Sequence, residues 1–297
     1  MRLATFVGPR GPCLGAISGD EIVDLNAASG EVTGLPASMA EFVALGAHGL
    51  DAARRIVERG LKERPADAVR SLGVVKLLAP IPRPGKIIGV GLNYNDHAAE
   101  VGRPKQDRPR LFVKVSSSVT GPDSTVAIPP GIEKLDFEVE LAVVIGRRAS
   151  QVKESEAIGF VAGYTILNDL SAREFQFDIA PPQTTLAKSM DGFCPMGPWI
   201  VTSDELGDGS GLGVRTFVND TKMQDGTTSD LTFSVAALVS YISRFMTLEP
   251  GDVIATGTPA GVGAFRKPPV FLKGGDRVKL EIERIGVLET AIKSETD

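Results

Sequence analysis

Residues 135–141 read Leu-Asp-Phe-Glu-Val-Glu-Leu, acid and apolar in strict alternation, and run on into Ala-Val-Val-Ile-Gly. Only an extended chain sorts such a pattern, because side chains in a strand switch faces at every residue. Leu135, Phe137, Val139 and Leu141 then share one face, and Asp136, Glu138 and Glu140 the other. Three acids on one face repel each other unless water or a cation compensates. Two readings follow: the solvated face of an edge strand, or a cavity in which Glu138 and Glu140 grip one divalent cation. Carboxylates two positions apart on a strand can reach the same point, and hard cations such as Mg²⁺ or Mn²⁺ suit them.

The chain of 297 residues is long enough for a sizeable core and for two domains. Its 33 glycines and 20 prolines predict many turns and limited helix. A net charge of -5, with no basic block interleaved with aromatics, argues against nucleic acid as a partner. Two cysteines, Cys13 and Cys194, make neither a disulfide framework nor a thiolate metal site. The N-terminus lacks the apolar core of a signal peptide, and no apolar run is long enough to span a bilayer. These features predict a cytoplasmic protein with no membrane partner.

Residues 79–85, with three prolines in five positions, divide the chain. Residues 1–78 read as a small N-terminal domain and 79–297 as a larger second domain. In the first, residues 2–7 and 21–25 are strand candidates, with a turn over 8–12, and 50–61 carry a helical stripe. His48, flanked by glycines, reads as a loop or surface histidine. In the second, strands are predicted over 86–90, 111–115, 160–167, 252–255, 276–283 and 287–292. Residues 214–218 and 222–224 form a hairpin, and 234–246 form the best helix, its apolar face including Phe245 and Met246. A short helix is predicted over 152–158.

Several side chains carry chemistry or a bland alternative. If residues 94–100 are helical, His97 and Glu100 meet on one face, either as a surface pair or as an imidazole oriented by a carboxylate for general-base work. The polar, proline-punctuated residues 102–109 read as a mobile loop that could act as a lid. Asp169 follows a strand and precedes a predicted helix; it is an N-cap or a third metal carboxylate. Arg173 and Gln176, about one and two helical turns on, would face the same site, with Arg173 holding a substrate carboxylate through its planar fork. By pattern alone Lys188 is a surface lysine. The loop 256–263 would expose backbone amides and the Thr258 hydroxyl to an anion. It lacks the ending of a P-loop, and no GxGxxG fingerprint is present.

Taken together, GLNYNDHAAE, LDFEVELAVVIG, GYTILNDLSAREFQ, LAKSMDGFCPMGP and GDVIATGTPAGVG resemble the fumarylacetoacetate hydrolase superfamily. The likeness covers about residues 80–290 and extends to FRKPPVFLKGGDRVKLEIERIGVLE, similar to its domain-containing branch. The resemblance implies an α+β, mainly β fold: a mixed β-roll catalytic domain with few helices, forming a homodimer. It implies a metal, Mg²⁺ or Mn²⁺ and in some members Ca²⁺, on Glu138, Glu140 and Asp169, with Asp136 a neighbour rather than a ligand. By the same resemblance His97, Glu100 and Lys188 are catalytic, and Arg173, Gln176 and Thr258 bind a small-molecule keto-acid substrate. The leading expectation is metal-dependent C–C hydrolysis of a 2,4-diketo acid. The alternatives are decarboxylation or tautomerisation of oxaloacetate, the corresponding reactions of a dienedioate, or keto-acid binding without turnover.

Overall fold

The computed structural model of the protein describes residues 1–9, 11–30 and 34–294. Its central strand, Val139–Ile145, pairs antiparallel with Val161–Asn168 on one side and Val253–Ala255 on the other. The solvated-edge reading of the acidic stretch therefore fails. Asp136, Glu138 and Glu140 are 0%, 6% and 1% exposed. Alternate side chains of the strand enter different cores: Leu141, Val143 and Ile145 join one apolar cluster, Ala142 and Val144 another. The extended run is also interrupted. Leu135–Asp136 is a separate short strand paired with Ser171–Ala172.

The large sheet has twelve strands among the described residues and is mixed in direction. Val253–Ala255 runs parallel to Ile87–Gly91, which pairs antiparallel with Arg110–Lys114. A five-stranded sheet contains Gly213–Val218, Thr221–Thr227, Arg277–Ile282, Gly286–Lys293 and Ser124–Ala127. The larger apolar cluster joins the two sheets: Leu141, Tyr164 and Ile166 from the first meet Val214, Leu280 and Leu288 from the second. The architecture is the mainly β, mixed β-roll with few helices that the sequence resemblance implied.

Strands Arg2–Gly8, Gly11–Ser18, Glu21–Asp24 and Val69–Ser71 extend the same large sheet, with Arg2 opposite Val201 and Leu3 opposite Ile200. The helix Gly46–Glu63 starts earlier than its apolar stripe suggested and presents His48 to solvent. It buries Ala53 and Ile56 in the cluster that holds Ala142 and Val144. Strand Gly11–Ser18 begins inside the expected turn, whose Arg10 lies outside the described residues.

Elsewhere the local chemistry decides the boundaries. Asn219 and Asp220 both adopt positive φ (49° and 65°), the backbone a two-residue hairpin turn needs. The best predicted helix is capped by Ser234 but ends at Ser243, so Phe245 and Met246 lie beyond it and are exposed. The helix expected over 152–158 is the 3₁₀ segment Glu154–Phe160.

Candidate active site

Sheet register assembles the acidic cluster. Val139 lies opposite Asn168, so Asp169 follows directly beside Glu138, its N–H donating to Glu138 O at 2.9 Å. Carboxylate oxygens of Glu138, Glu140 and Asp169 all lie within 4.8 Å of one another. Asp169 is not an N-cap. The chain continues through the strand Ser171–Ala172 into a π-helical turn, Glu174–Asp178. Arg173 N–H bonds Lys134 O across the chain rather than a carbonyl four residues back. The helical spacing expected for Arg173 and Gln176 is replaced by a direct bond, Arg173 Nη1 to Gln176 Oε1 at 2.8 Å.

Three buried cations face this cluster. Lys188 is no surface lysine: its Nζ donates to Glu138 Oε2 at 2.8 Å, Asp169 Oδ2 at 2.6 Å and Ser171 Oγ at 2.7 Å. Burial favours its neutral form, but Asp169 and Glu138 outweigh burial and hold its pKa above the usual lysine range, so it stays an ammonium. Arg173 turns its Nε and Nη2 toward Asp136 (2.9 and 2.8 Å), and Nη2 also meets Glu138 at 2.6 Å. Its fork is thus largely used within the protein, and the Nη1 edge beside Gln176 remains for a ligand. Lys114, which sequence reasoning missed, donates to Asp169 Oδ1 at 2.7 Å and to the Lys188 carbonyl. No signal in the sequence marks it: alternation would turn Lys114 outward, whereas Val113 and Val115 are exposed and Lys114 between them is buried.

Ionisation divides the two glutamates. Burial opposes the charge on Glu138, yet Lys188 and Arg173 hold its carboxyl well below the usual range. Burial, Asp169 and Glu138 push Glu140 well above it, against the weaker pull of Lys188 and the Gly257 N–H. Among the described residues no ion pair reaches Glu140; its one hydrogen bond is from Gly257 N at 2.8 Å. A cluster of hard oxygen donors with one carboxylate lacking a cation fits a divalent ion.

Across the cavity, the short helix Asn95–Glu100 carries the dyad. His97 Nδ1 lies 2.8 Å from Glu100 Oε2, and Glu100 Oε1 accepts Gly261 N–H at 2.9 Å. Phe265 packs against the imidazole, ring centroids 5.9 Å apart. The cavity, about 1010 Å³, is lined by His97, Glu138, Glu140, Arg173, Gln176, Lys188 and Thr258. Residues 102–109 are irregular and largely exposed, and Arg103 joins the lining.

Residues 86–293 match the family model described as fumarylacetoacetate (FAA) hydrolase C-terminal. This chain belongs to the fumarylacetoacetate hydrolase family. It is 43% identical over 292 residues to the mitochondrial oxaloacetate tautomerase FAHD2A of Bos taurus, covering 97% of this chain and 90% of that protein. The structure of 2-hydroxyhepta-2,4-diene-1,7-dioate isomerase from Mycobacterium marinum superposes with a TM-score of 0.76 at 34% identity, covering 100% of both chains. Maleylpyruvate hydrolase from Sphingobium sp. SYK-6, solved with manganese(II) and pyruvate, gives 0.79 at 32% identity, covering 99% of both. The family's named activities are enzymatic, and the Sphingobium member binds a metal. Among the described residues no helix is long and apolar enough to cross a membrane.

Within this family member the loop after Ala255 does something other than expected. Its amides hold the protein's own carboxylates: Gly257 N that of Glu140, Gly261 N that of Glu100, and Gly263 and Ala264 N that of Asp136 at 2.7 and 2.9 Å. Asp136, expected to be a neighbour of the ligands, anchors both Arg173 and the turn Gly263–Phe265 that brings Phe265 to His97.

Proposed function

We propose that this protein is a divalent-metal-dependent enzyme that shifts a proton between carbon and oxygen of a 2-keto dicarboxylic acid, with oxaloacetate as the model substrate. The observation that carries the reading is the placement of a buried three-carboxylate cluster and a His–Glu dyad around one cavity. The 43% identity over 292 residues to an oxaloacetate tautomerase and the 34% identity to a dienedioate isomerase support proton transfer; a Burkholderia ambifaria relative named as a hydrolase is also 43% identical, over 272 residues, and supports hydrolysis as the second reading.

Glu138, Glu140 and Asp169 would hold Mg²⁺ or Mn²⁺, and their oxygens also suit Ca²⁺. When bound, the ion supplies a Lewis acid for negative charge developing on the keto oxygen. Lys188 and the free edge of Arg173, with Gln176 beside it, bind the substrate's carboxylates. Glu100 as a carboxylate can only accept, so it assigns the His97 proton to Nδ1 and leaves the Nε2 lone pair for the substrate. His97 Nε2 takes the proton from the carbon beside the keto group and, as the imidazolium, delivers it to the enolate oxygen to give the enol; the reverse direction moves the same proton from oxygen back to carbon. Phe265 and Phe177, in contact with each other, shield His97 from water on one side. An intact dyad argues against a binding protein without turnover. A homodimer completes the proposal, supported by the family resemblance.

Hydrolysis stands as a second reading. The cavity exceeds what a four-carbon diacid fills, and the same Nε2 lone pair could deprotonate water. The test is His97→Asn. Tautomerisation of oxaloacetate should fall by roughly 10²–10⁴-fold, the usual contribution of a general base, with Mn²⁺ affinity retained. An unaltered rate overturns the assignment. Mn²⁺-dependent pyruvate release from acetylpyruvate, without tautomerisation, would move the assignment to hydrolysis.

A further inference from the structure

We propose that Gln224 is a positioning residue that fixes the Thr258 hydroxyl as a hydrogen-bond donor aimed into the cavity. The inference rests on the reading of Thr258 as a substrate contact. Gln224 lies on the strand Thr221–Thr227 of the smaller sheet and is fully buried. Its Oε1 accepts from Val139 N at 3.1 Å and from Thr216 Oγ1 at 2.8 Å. Its Nε2 donates to Pro259 O at 2.8 Å and to Thr258 Oγ1 at 2.7 Å.

Two of these partners have no choice of role. A backbone N–H can only donate and a backbone carbonyl can only accept. The amide therefore cannot be reversed, and its two lone pairs and two protons are all used. Nε2 must donate to Thr258 Oγ1. The single proton of that hydroxyl cannot point back at a donor, so it points elsewhere. No acceptor for it is found among the described residues, and Thr258 lines the cavity. A substrate oxygen entering the cavity would meet this proton. The donor is thus set before substrate arrives, and binding spends nothing on reorienting it.

Neither Gln224 nor Thr216 lines the cavity, so the larger sheet's site depends here on an amide held by the smaller sheet. Val139, the other end of the arrangement, stands between Glu138 and Glu140. A purely structural role for Gln224, bracing that strand, would show in metal affinity rather than in substrate affinity.

The test is a double-mutant cycle of Gln224→Met and Thr258→Val on the Mn²⁺-loaded protein. It reads the dissociation constant for pyruvate, the KM for oxaloacetate and the affinity for Mn²⁺. Losing a hydrogen bond to a charged ligand should weaken pyruvate binding roughly tenfold or more in each single variant. The double variant should be no weaker than Thr258→Val alone, and Mn²⁺ affinity should stay within about twofold. A Gln224→Met penalty that persists in full on the Thr258→Val background overturns the proposal, as does a Gln224→Met protein with unaltered pyruvate binding. Thr258→Val with unaltered binding removes the underlying reading of Thr258 instead, which separates the two failures. If Gln224→Met does not fold, Gln224→Glu keeps an acceptor for Val139 N–H while taking the Thr258 proton for itself. It should give the same non-additive loss, and full additivity with Thr258→Val would overturn the proposal equally.

Discussion

Single side chains in this site are poised by charge they do not themselves carry. In the metal-free protein Glu140 keeps a proton that the unfolded chain has lost above about pH 4.3. The folded state then binds more protons, so the stability from this group is full below that pH and is lost as pH rises toward its raised folded value. Glu138 has the opposite sign: its contribution is present above about pH 4.3 and is lost as pH falls through its depressed value. Urea denaturation of the metal-free protein should therefore show stability declining with pH above that point, and Glu140→Gln should flatten the decline. A wild-type slope retained in Glu140→Gln would show that another group carries it. Lys114 gives a second test. Lys114→Met removes one of the two cations on the buried Asp169 and should cost about 3–5 kcal/mol in unfolding free energy. An unaltered urea midpoint would mean that Lys188 alone compensates the carboxylate.

Elements, rather than isolated residues, decide which parts of the site were legible in the sequence. Strict alternation over residues 135–141 announced extended chain and a row of acids, and the register of two antiparallel strands then brought Asp169 to that row. Local spacing cannot report such a register, and for that reason Asp169 had an N-cap reading beside the correct neighbourhood. The same limit applies to Lys188, whose burial depends on partners 50 and 19 residues away. The segment 169–176 misled in a different way. Its polar, helix-compatible sequence is overridden because Asp169 and Arg173 spend their N–H groups on Glu138 and Lys134. The loop 256–263 showed its glycines plainly, but not that their amides would serve Glu140, Glu100 and Asp136. The turn beyond that loop offers a prediction. A Cβ on Gly263 would overlap Val270 O and crowd Asp136 Oδ1 at 2.6 Å. Gly263→Ala should shift the turn that carries Phe265, cost about 1–3 kcal/mol as overpacking does, and reduce kcat more than Mn²⁺ affinity. A variant with wild-type stability and turnover would remove the turn from the account.

At the level of the molecule, strands and strand ends of the larger sheet bring Glu138, Glu140, Asp169 and Lys114 to the site, and the smaller sheet backs it through Gln224, which holds Thr258 from behind the cavity wall. Four buried carboxylates, Asp136, Glu138, Glu140 and Asp169, meet three buried cations, Lys114, Arg173 and Lys188. This balance leaves room for a divalent ion and then for an anionic substrate. The family and the β-roll were legible from motifs spread over about 200 residues, because each motif marks a strand end or loop that converges on the cavity. Which proton transfer the enzyme performs was not, because hydrolysis and tautomerisation call on the same dyad and the same acids. The measurement that separates them is the decay of enol oxaloacetate to its keto form, followed by absorbance with Mn²⁺, with EDTA, and with Mn²⁺ in the absence of protein. The account predicts acceleration above the metal-only background that EDTA abolishes and Glu140→Gln severely reduces. Acceleration indifferent to both EDTA and Glu140→Gln would contradict it.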